Sequence, residues 1–155
     1  EVMDRLRFDN KTKEEVVDLV LYHDADIHPS TKSVKRWLNR IGYSMMVKLL
    51  AVKFADVRSH SSINQEERAA VLQDICVLAY RIKNEQQCFA IKDLAVNGND
   101  IMSLGLPSGP AVGKVLKHLL DKVLDEELEN ERNVLMTEAA YYIAEWRNWQ
   151  FCIVD

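Results

Sequence analysis

Residues 88–125 read CFAIKDLAVNGNDIMSLGLPSGPAVGKVLKHLLDKVLD. This stretch holds four of the five glycines and two of the three prolines of the chain. Residues 97–100 form a turn cluster before the short apolar run 101–104, and a glycine- and proline-rich segment, 105–110, follows. Because glycine and proline favour tight turns, the pattern predicts two helices joined by a short glycine turn.

The helix after that turn has clear start signals. Ser108 or Gly109 is predicted to cap it, and Pro110 suits its first turn, where the N–H that proline lacks would have no partner. Apolar residues then recur at the spacing of one helix face: Val112, Val115, Leu116, Leu119, Leu120, Val123 and Leu124. This periodicity predicts an amphipathic helix whose apolar stripe faces a core.

The entrance of this helix is a candidate phosphate site. Gly109 and Gly113 leave the backbone unobstructed, and the first turn of a helix offers N–H groups at the positive end of its dipole. A helix-hairpin-helix element binds a nucleic-acid backbone in this way without base-specific contacts. Lys114 and Lys117 would add positive charge to the site. A compact helix–helix connection without a ligand explains the same residues, and both interpretations stay open here.

Residues 92–125 also resemble a known family. They are similar to the C-terminal region of bacterial tRNA nucleotidyltransferases, the CCA-adding enzymes and related poly(A) polymerases, whose pattern is close to L-x-V-x-G-x-D-L-x-x-L-G-x-x-x-G-P-x-x-G-x-x-L. The matching positions are Leu94, Val96, Gly98, Asp100, Leu104, Gly105, Gly109, Pro110, Gly113 and Leu116. So many spaced matches make chance a poor explanation.

The resemblance implies a place within a larger enzyme. The family transfers CMP or AMP from CTP or ATP to an RNA 3′ hydroxyl, and it uses Mg²⁺ held by carboxylates of a catalytic head whose motifs this chain lacks. We therefore expect no catalytic residue here and an inactive fragment. The chain starts at Glu1 without an initiator methionine, which also leads us to expect a piece of a longer protein.

Composition limits the kind of partner. The 155 residues carry a net charge of −4, so no global basic field attracts nucleic acid, and contact with tRNA requires a local basic face. Cys76, Cys88 and Cys152 are widely spaced and form no zinc pattern, which predicts reduced thiols in a cytoplasmic protein. No apolar run reaches the roughly 18 to 20 residues of a membrane span, so no membrane association is expected.

Helical periodicity dominates the chain, which predicts an all-α fold continuing from an HD-like helical domain. Thr12 and Glu15 form a predicted capping box, and Ser30 or Thr31 is predicted to cap a later helix. That later helix carries a basic stripe in which cations recur every four residues. The stripe consists of Lys32, Arg36 and Arg40, with Lys35 beside it. A solvated surface explains such charges, but beside a tRNA backbone they become candidate phosphate contacts.

The pair His23-Asp24 and the later Asp56 raise the question of a metal. Imidazole and carboxylate groups bind divalent ions, and residues 5–58 resemble the latter part of the HD-like region that follows the catalytic head in this family. The earlier histidine and the defining His-Asp pair of that region are absent from this sequence. We therefore expect no metal at His23, Asp24 and Asp56, and we interpret His23 as a core histidine.

The C-terminal part is acidic and then aromatic. A last helix is predicted from about Asn130, with Leu135, Ala139, Tyr142 and Trp146 on one face. The aromatic residues of 141–155 need burial, either in this protein's own core or in a homo-oligomer. The predicted organisation is 1–62 as the latter part of an HD-like domain, 63–130 as an RNA-binding body, and 131–155 as an aromatic helix and tail.

The sequence therefore favours the tRNA-positioning, C-terminal part of a nucleotidyltransferase that adds CMP and AMP to tRNA 3′ ends. Two alternatives stay open. One is a fragment of an HD-type metal-dependent phosphohydrolase, and the other is a protein-interaction or dimerisation module built on the aromatic tail.

Overall fold

In the computed structural model, the backbone is described for residues 2–59 and 64–151, and the side chains for 2–59 and 64–146. All the regular structure in these ranges is helical, as predicted, and comprises seven α-helices and one short 3₁₀ helix. The α-helices are α1 Val2–Arg5, α2 Asn10–Tyr22, α3 Thr31–Ser59, α4 Gln65–Asn84, α5 Gly98–Ser103, α6 Pro110–Leu124 and α7 Arg132–Phe151. None of them, within the described ranges, is long and apolar enough to span a membrane.

The chain divides into two compact units, Glu1–Glu85 and Gln86–Asp155. In the first unit α3 packs against both α2 and α4. A break at Gly42, where φ is 74° and ψ is 162°, divides α3 into two helical segments. The core of this unit consists of Ile27, Val34, Leu38, Met46, Leu49, Leu50, Val57, Leu72, Ile75, Ala79 and Ile82. The domain boundaries predicted at residues 62 and 130 stay a prediction.

The start of α2 differs from the prediction. Asp9, and not Thr12, is its N-cap: the Asp9 carboxylate accepts from the Thr12 backbone N at 3.0 Å and from the Thr12 hydroxyl at 2.6 Å. An N-cap side chain accepts from the N–H two or three residues later, so Asp9 caps the N–H of Thr12 and the helix begins at Asn10, one turn earlier than a cap at Thr12 would allow. None of the residues of α2, all of them described, is fully buried, and Val17, Val20 and Leu21 are exposed.

The later helices of the first unit follow the predicted signals more closely. Ser30 caps α3, since its hydroxyl accepts from the Ser33 backbone N at 3.3 Å. Asn64 stands at the N-cap of α4, as its spacing to Glu67 predicts, although its side chain makes no capping hydrogen bond within the described structure. The periodicity of α4 predicts an apolar stripe that includes Cys76, which is only partly buried. The polar segment 59–63 predicts a loop, but Ser59 is the last residue of α3, and residues 60–63 lie outside the described residues.

In the second unit, two helices are joined by a glycine turn, as predicted. Residues 97–100 are not a separate turn but the cap and first turn of α5, where the Asn97 side chain accepts from the backbone N of Asn99 at 2.9 Å. Gly109, with φ of 149°, caps α6, and Pro110 is its first residue. The predicted stripe of α6 is buried except for Leu116, which is partly buried.

The last helix begins at Arg132, two residues after the predicted start, because Asn130 has another role. Its Oδ1 accepts from the Ala95 backbone N and its Nδ2 donates to the Asp93 carbonyl, both at 2.9 Å. On α7, Leu135, Ala139 and Ile143 are buried and complete the core with α6, while Tyr141 is exposed. The predicted burial of the aromatic side chains after Trp146 lies outside the described residues.

Candidate nucleic-acid interface

The basic stripe occupies one exposed side of the N-terminal segment of α3. Lys32, Arg36 and Arg40 are all exposed, whereas Val34 and Leu38 on the other side are buried. Residues four apart on a helix lie on one side of it, so the three cations form a row along the helix axis. Lys35 lies next to this row and is partly buried. The four predicted phosphate contacts therefore belong to a single surface of the first unit.

An aromatic pair adjoins this row. The guanidinium carbon of Arg40 lies 5.3 Å from the ring centroid of Trp37, and the Tyr22 ring packs edge-on against Trp37 with 5.5 Å between centroids. The spacing of Val34, Trp37, Leu38 and Ile41 predicts one apolar helix face, and neither contact of Trp37 was predicted from it. The available signal was the spacing of three residues between Trp37 and Arg40, which makes side chains neighbours on a helix.

The sequence around the row contains no acidic residue. Residues 27–55 contain six Lys or Arg and no Asp or Glu, although the whole chain is acidic. Two of these six cations have structural contacts within the first unit: Lys48 pairs with Glu15 at 2.5 Å, and Lys53 bonds main-chain carbonyls. Lys32, Lys35, Arg36 and Arg40 lie within nine consecutive residues at the start of α3, so the local positive charge is concentrated there.

The entrance of α6 in the second unit offers fewer donors than its sequence suggests. Of the first four N–H groups, the one at Pro110 does not exist, and the one at Val112 donates to the Gly109 carbonyl at 3.1 Å. At most two donors therefore remain for an anion. The helix dipole still favours negative charge at this end.

Gly113 is the least constrained glycine of this entrance. A Cβ on Gly113 would meet no described atom within 4 Å, and the residue is exposed in the second turn of α6. Lys114 and Lys117 are exposed as well, and the Lys114 ammonium lies 5.3 Å from the Trp146 ring centroid. The predicted residues Gly109, Gly113, Lys114 and Lys117 thus share the first two turns of one helix.

Most positions of the family pattern have structural roles in the second unit. Leu94 and Val96 are buried, and a Cβ on Gly98 would lie 3.6 Å from Val112 Cγ1. The Asp100 carboxylate accepts from the Asn97 backbone N at 2.8 Å and from Arg132 at 2.6 Å. These contacts stabilise α5 and its connection to α6, whereas Gly113 has no packing role among the described residues.

The metal candidates line a cavity of about 390 Å³ in the first unit. His23, Asp24 and Asp56 all border it, together with Lys53 and Arg68. The Lys53 ammonium donates to the carbonyls of His23 at 2.7 Å and Ala25 at 2.6 Å, and burial lowers its pKa. The Asp56 carboxylate lies 3.7 Å from the Arg68 guanidinium.

These residues do not fit a divalent metal. The described residues contain no group of three His, Cys, Asp or Glu side chains placed to hold an ion. Cations already stand beside the carboxylates, and His23 Nδ1 lies 2.6 Å from the Val20 carbonyl oxygen. The interpretation of His23 as a core histidine is wrong, since 49% of its side chain is exposed at the end of α2. No step involving Mg²⁺ or a nucleotide follows from this site.

Comparison with known proteins gives one match. The family model described as tRNA nucleotidyltransferase domain 2 matches residues 1–139, which includes the basic row, the cavity and the α6 entrance. No curated protein and no solved structure matches the chain. Because the match covers most of the chain, this protein belongs to the tRNA nucleotidyltransferase domain 2 family.

Proposed function

We propose that this chain holds tRNA for a nucleotidyltransferase that adds CMP and AMP to the tRNA 3′ end. The single observation that carries the proposal is the row of Lys32, Arg36 and Arg40 on the exposed side of α3, in a chain whose net charge is −4. Such a row matches the repeating negative charge of a nucleic-acid backbone. The family membership makes tRNA the nucleic acid to test first.

The position of Lys32 adds support. It stands in the first turn of α3, where the positive end of the helix dipole disfavours a cation by about 0.3–1 kcal/mol. The helix dipole therefore gives no reason for a cation at this position. A bound anion, in contrast, would be favoured there both by the dipole and by the charge of Lys32.

The entrance of α6 is proposed as a second contact surface, in the other unit. A glycine in an exposed helix position costs about 0.5–1 kcal/mol relative to alanine, and Gly113 has no packing reason for this cost within the described structure. A bare backbone allows close approach of a phosphate, and Lys114 and Lys117 supply charge next to it. Gly109 and Gly113 would then contribute to binding because, without a side chain, they leave the backbone accessible to the phosphate.

Contacts of this kind hold RNA by its backbone and carry no sequence information. The proposal therefore assigns this chain the positioning of tRNA, and it assigns nucleotide choice, Mg²⁺, CTP and ATP to the catalytic part of the parent enzyme. No residue of this chain is proposed as catalytic. A cytoplasmic location goes with the proposal, and the free thiols Cys76 and Cys88 suit a reducing compartment.

The test is equilibrium binding of fluorescently labelled tRNA to the wild type and to Lys32→Ala/Arg36→Ala/Arg40→Ala. A matched control, Arg81→Ala/Lys83→Ala/Lys92→Ala, removes the same charge from exposed positions elsewhere. We expect binding by the wild type and the control, and weaker binding by the first variant. A duplex DNA of similar length is the competitor, and the proposal requires tRNA to be preferred. Equal weakening by both variants, or no binding at low salt, would reject this surface.

A further inference from the structure

The contact between Arg40 and Trp37 points to a role for an uncharged residue in the basic row. The Trp37 ring is partly buried and packs against the Tyr22 ring in a T-shaped arrangement, at an interplanar angle of 86°. The Arg40 guanidinium lies over the Trp37 ring, yet the Arg40 residue as a whole is exposed. The guanidinium is thus in contact with an aromatic ring while its side chain stays accessible to solvent.

This arrangement restricts the most mobile part of the row. A free arginine side chain samples many rotamers and must lose them when it binds. A cation–π contact with tryptophan, the best ring for a cation, favours one position of the guanidinium, and the N–H groups of the guanidinium bind phosphate. Tyr22 in turn limits the movement of the Trp37 ring.

We propose that Trp37 is a positioning residue, which holds the guanidinium of Arg40 ready to bind a backbone phosphate of the RNA. This inference rests on the proposed function, because it concerns the same surface. It goes beyond that function by assigning binding energy to a side chain that carries no charge. Arg40 is the member of the row that lies over the Trp37 ring, so it is the phosphate contact that Trp37 would position.

The rival explanation for a tryptophan beside RNA is direct stacking on an unpaired base. Substitution of a stacking residue measurably lowers the affinity for RNA. The two roles differ in how Trp37 and Arg40 combine. If Trp37 acts through Arg40, its substitution has no further effect once Arg40 is gone. If Trp37 contacts a base, the two losses add.

The experiment is a double-mutant cycle for tRNA binding with Trp37→Leu, Arg40→Ala and the double variant, measured over a range of salt. We expect Trp37→Leu to weaken binding by about two- to fivefold and to leave the salt dependence unchanged. Arg40→Ala should reduce the slope of log K against log salt by about 1. The double variant should bind no more weakly than Arg40→Ala alone.

A milder variant separates folding from positioning. Trp37→Phe keeps an aromatic ring beside Tyr22, so it should retain the fold. Its binding should lie between wild type and Trp37→Leu because phenylalanine attracts a cation less than tryptophan. Circular dichroism melting identifies any variant that fails to fold. Wild-type affinity in Trp37→Leu and Trp37→Phe, or additive losses in the double variant, would overturn the inference.

The proposed function fails on different results. If Lys32→Ala/Arg36→Ala binds as the wild type does, the row is not the RNA surface, whatever the coupling between Trp37 and Arg40. If Lys32→Ala/Arg36→Ala binds weakly but the cycle shows no coupling, the row remains the RNA surface and only the positioning role of Trp37 is lost.

Discussion

Arg132 donates from Nη2 to Oδ1 of Asp100 at 2.6 Å and so ties the start of α7 to the first turn of α5. The other oxygen of the same carboxylate accepts from the Asn97 backbone N. The hydrogen bond from Arg132 is the main reason why the pKa of Asp100 lies below its ordinary value of 3.8, followed by the bond from Asn97. Asp100, a position of the family pattern, thus joins two helices in the second unit.

The first prediction concerns the pH dependence of this bond. Because the pKa of Asp100 is lower in the folded protein than in the unfolded chain, the ionised carboxylate stabilises the fold above pH 3.8, and this stabilisation is lost as the pH falls through the folded pKa. Asp100→Asn should therefore unfold at lower urea than the wild type near neutral pH. The difference should shrink on acidification below that value. Glu129→Gln, at an exposed position, is the control and should show little difference at either pH.

The second prediction separates the two glycines of the α6 entrance. Gly113→Ala should raise the free energy of unfolding by about 0.5–1 kcal/mol, since the site is helical and open. The same variant should weaken tRNA binding, because the added methyl group stands where a phosphate would approach. Thermal melts and binding titrations on one preparation give both values. A more stable variant with wild-type binding would remove this surface from the proposal.

Gly109→Ala serves as the contrast. Gly109 has φ of 149°, a conformation that L side chains rarely adopt, so alanine should cost about 1–3 kcal/mol of stability although there is space for its methyl group. Loss of binding in this variant would not distinguish a lost contact from a disturbed turn. Gly113→Ala is therefore the informative substitution.

The third prediction concerns Asn130, which holds the segment around Asp93 and Ala95. Asn130→Ala should lower the free energy of unfolding by about 1–3 kcal/mol, because it leaves a donor and an acceptor without their partner. Asn130→Asp should be intermediate, since it keeps the acceptor for the Ala95 N–H but loses the donor to the Asp93 carbonyl. Asn133→Ala, on the exposed side of α7, should change little. Urea denaturation followed by circular dichroism measures all three.

The fourth prediction concerns Lys53 in the cavity of the first unit. Burial lowers its pKa below the ordinary value of 10.5, while Asp24, Asp26 and Asp56 act in the opposite direction. In the pH range just below 10.5 the unfolded chain therefore binds more protons at this lysine, and the stability of the fold should rise with pH. Lys53→Met should lack this rise, and it should also be less stable near neutral pH because the bonds to His23 and Ala25 are gone. Lys83→Met, at an exposed position, is the control. An unchanged pH profile in Lys53→Met would contradict the assignment.

Local signals predicted α6 well. Proline, glycine and seven regularly spaced apolar residues all favour one helix with one buried face, and no competing pattern is present. The start of α2 was harder to predict, because Asp9 and Thr12 are both good N-cap residues and only the hydrogen bonds in the structure decide between them. Local patterns are informative where all of them agree, and ambiguous where two capping residues stand one turn apart.

The contacts that shape the candidate sites are mostly not local. Asn130 reaches Asp93 across 37 positions, and Lys53 reaches His23 across 30, so neither contact has a spacing signal. The same limitation explains the error at His23, whose place at an exposed helix end depends on α3. The basic row, in contrast, could be predicted from the sequence, because its cations recur at every fourth position. Its partner Trp37 was missed because an aromatic residue on an apolar face is usually assigned to the core.

The row on α3 is proposed to bind the backbone of tRNA. The most direct measurement is the slope of log K against log salt for tRNA binding, compared between the wild type and Lys32→Ala/Arg36→Ala/Arg40→Ala. If each cation neutralises one phosphate, the magnitude of that slope should be smaller by about 2–3 in the variant. Equal slopes and affinities in the two proteins would contradict the claim.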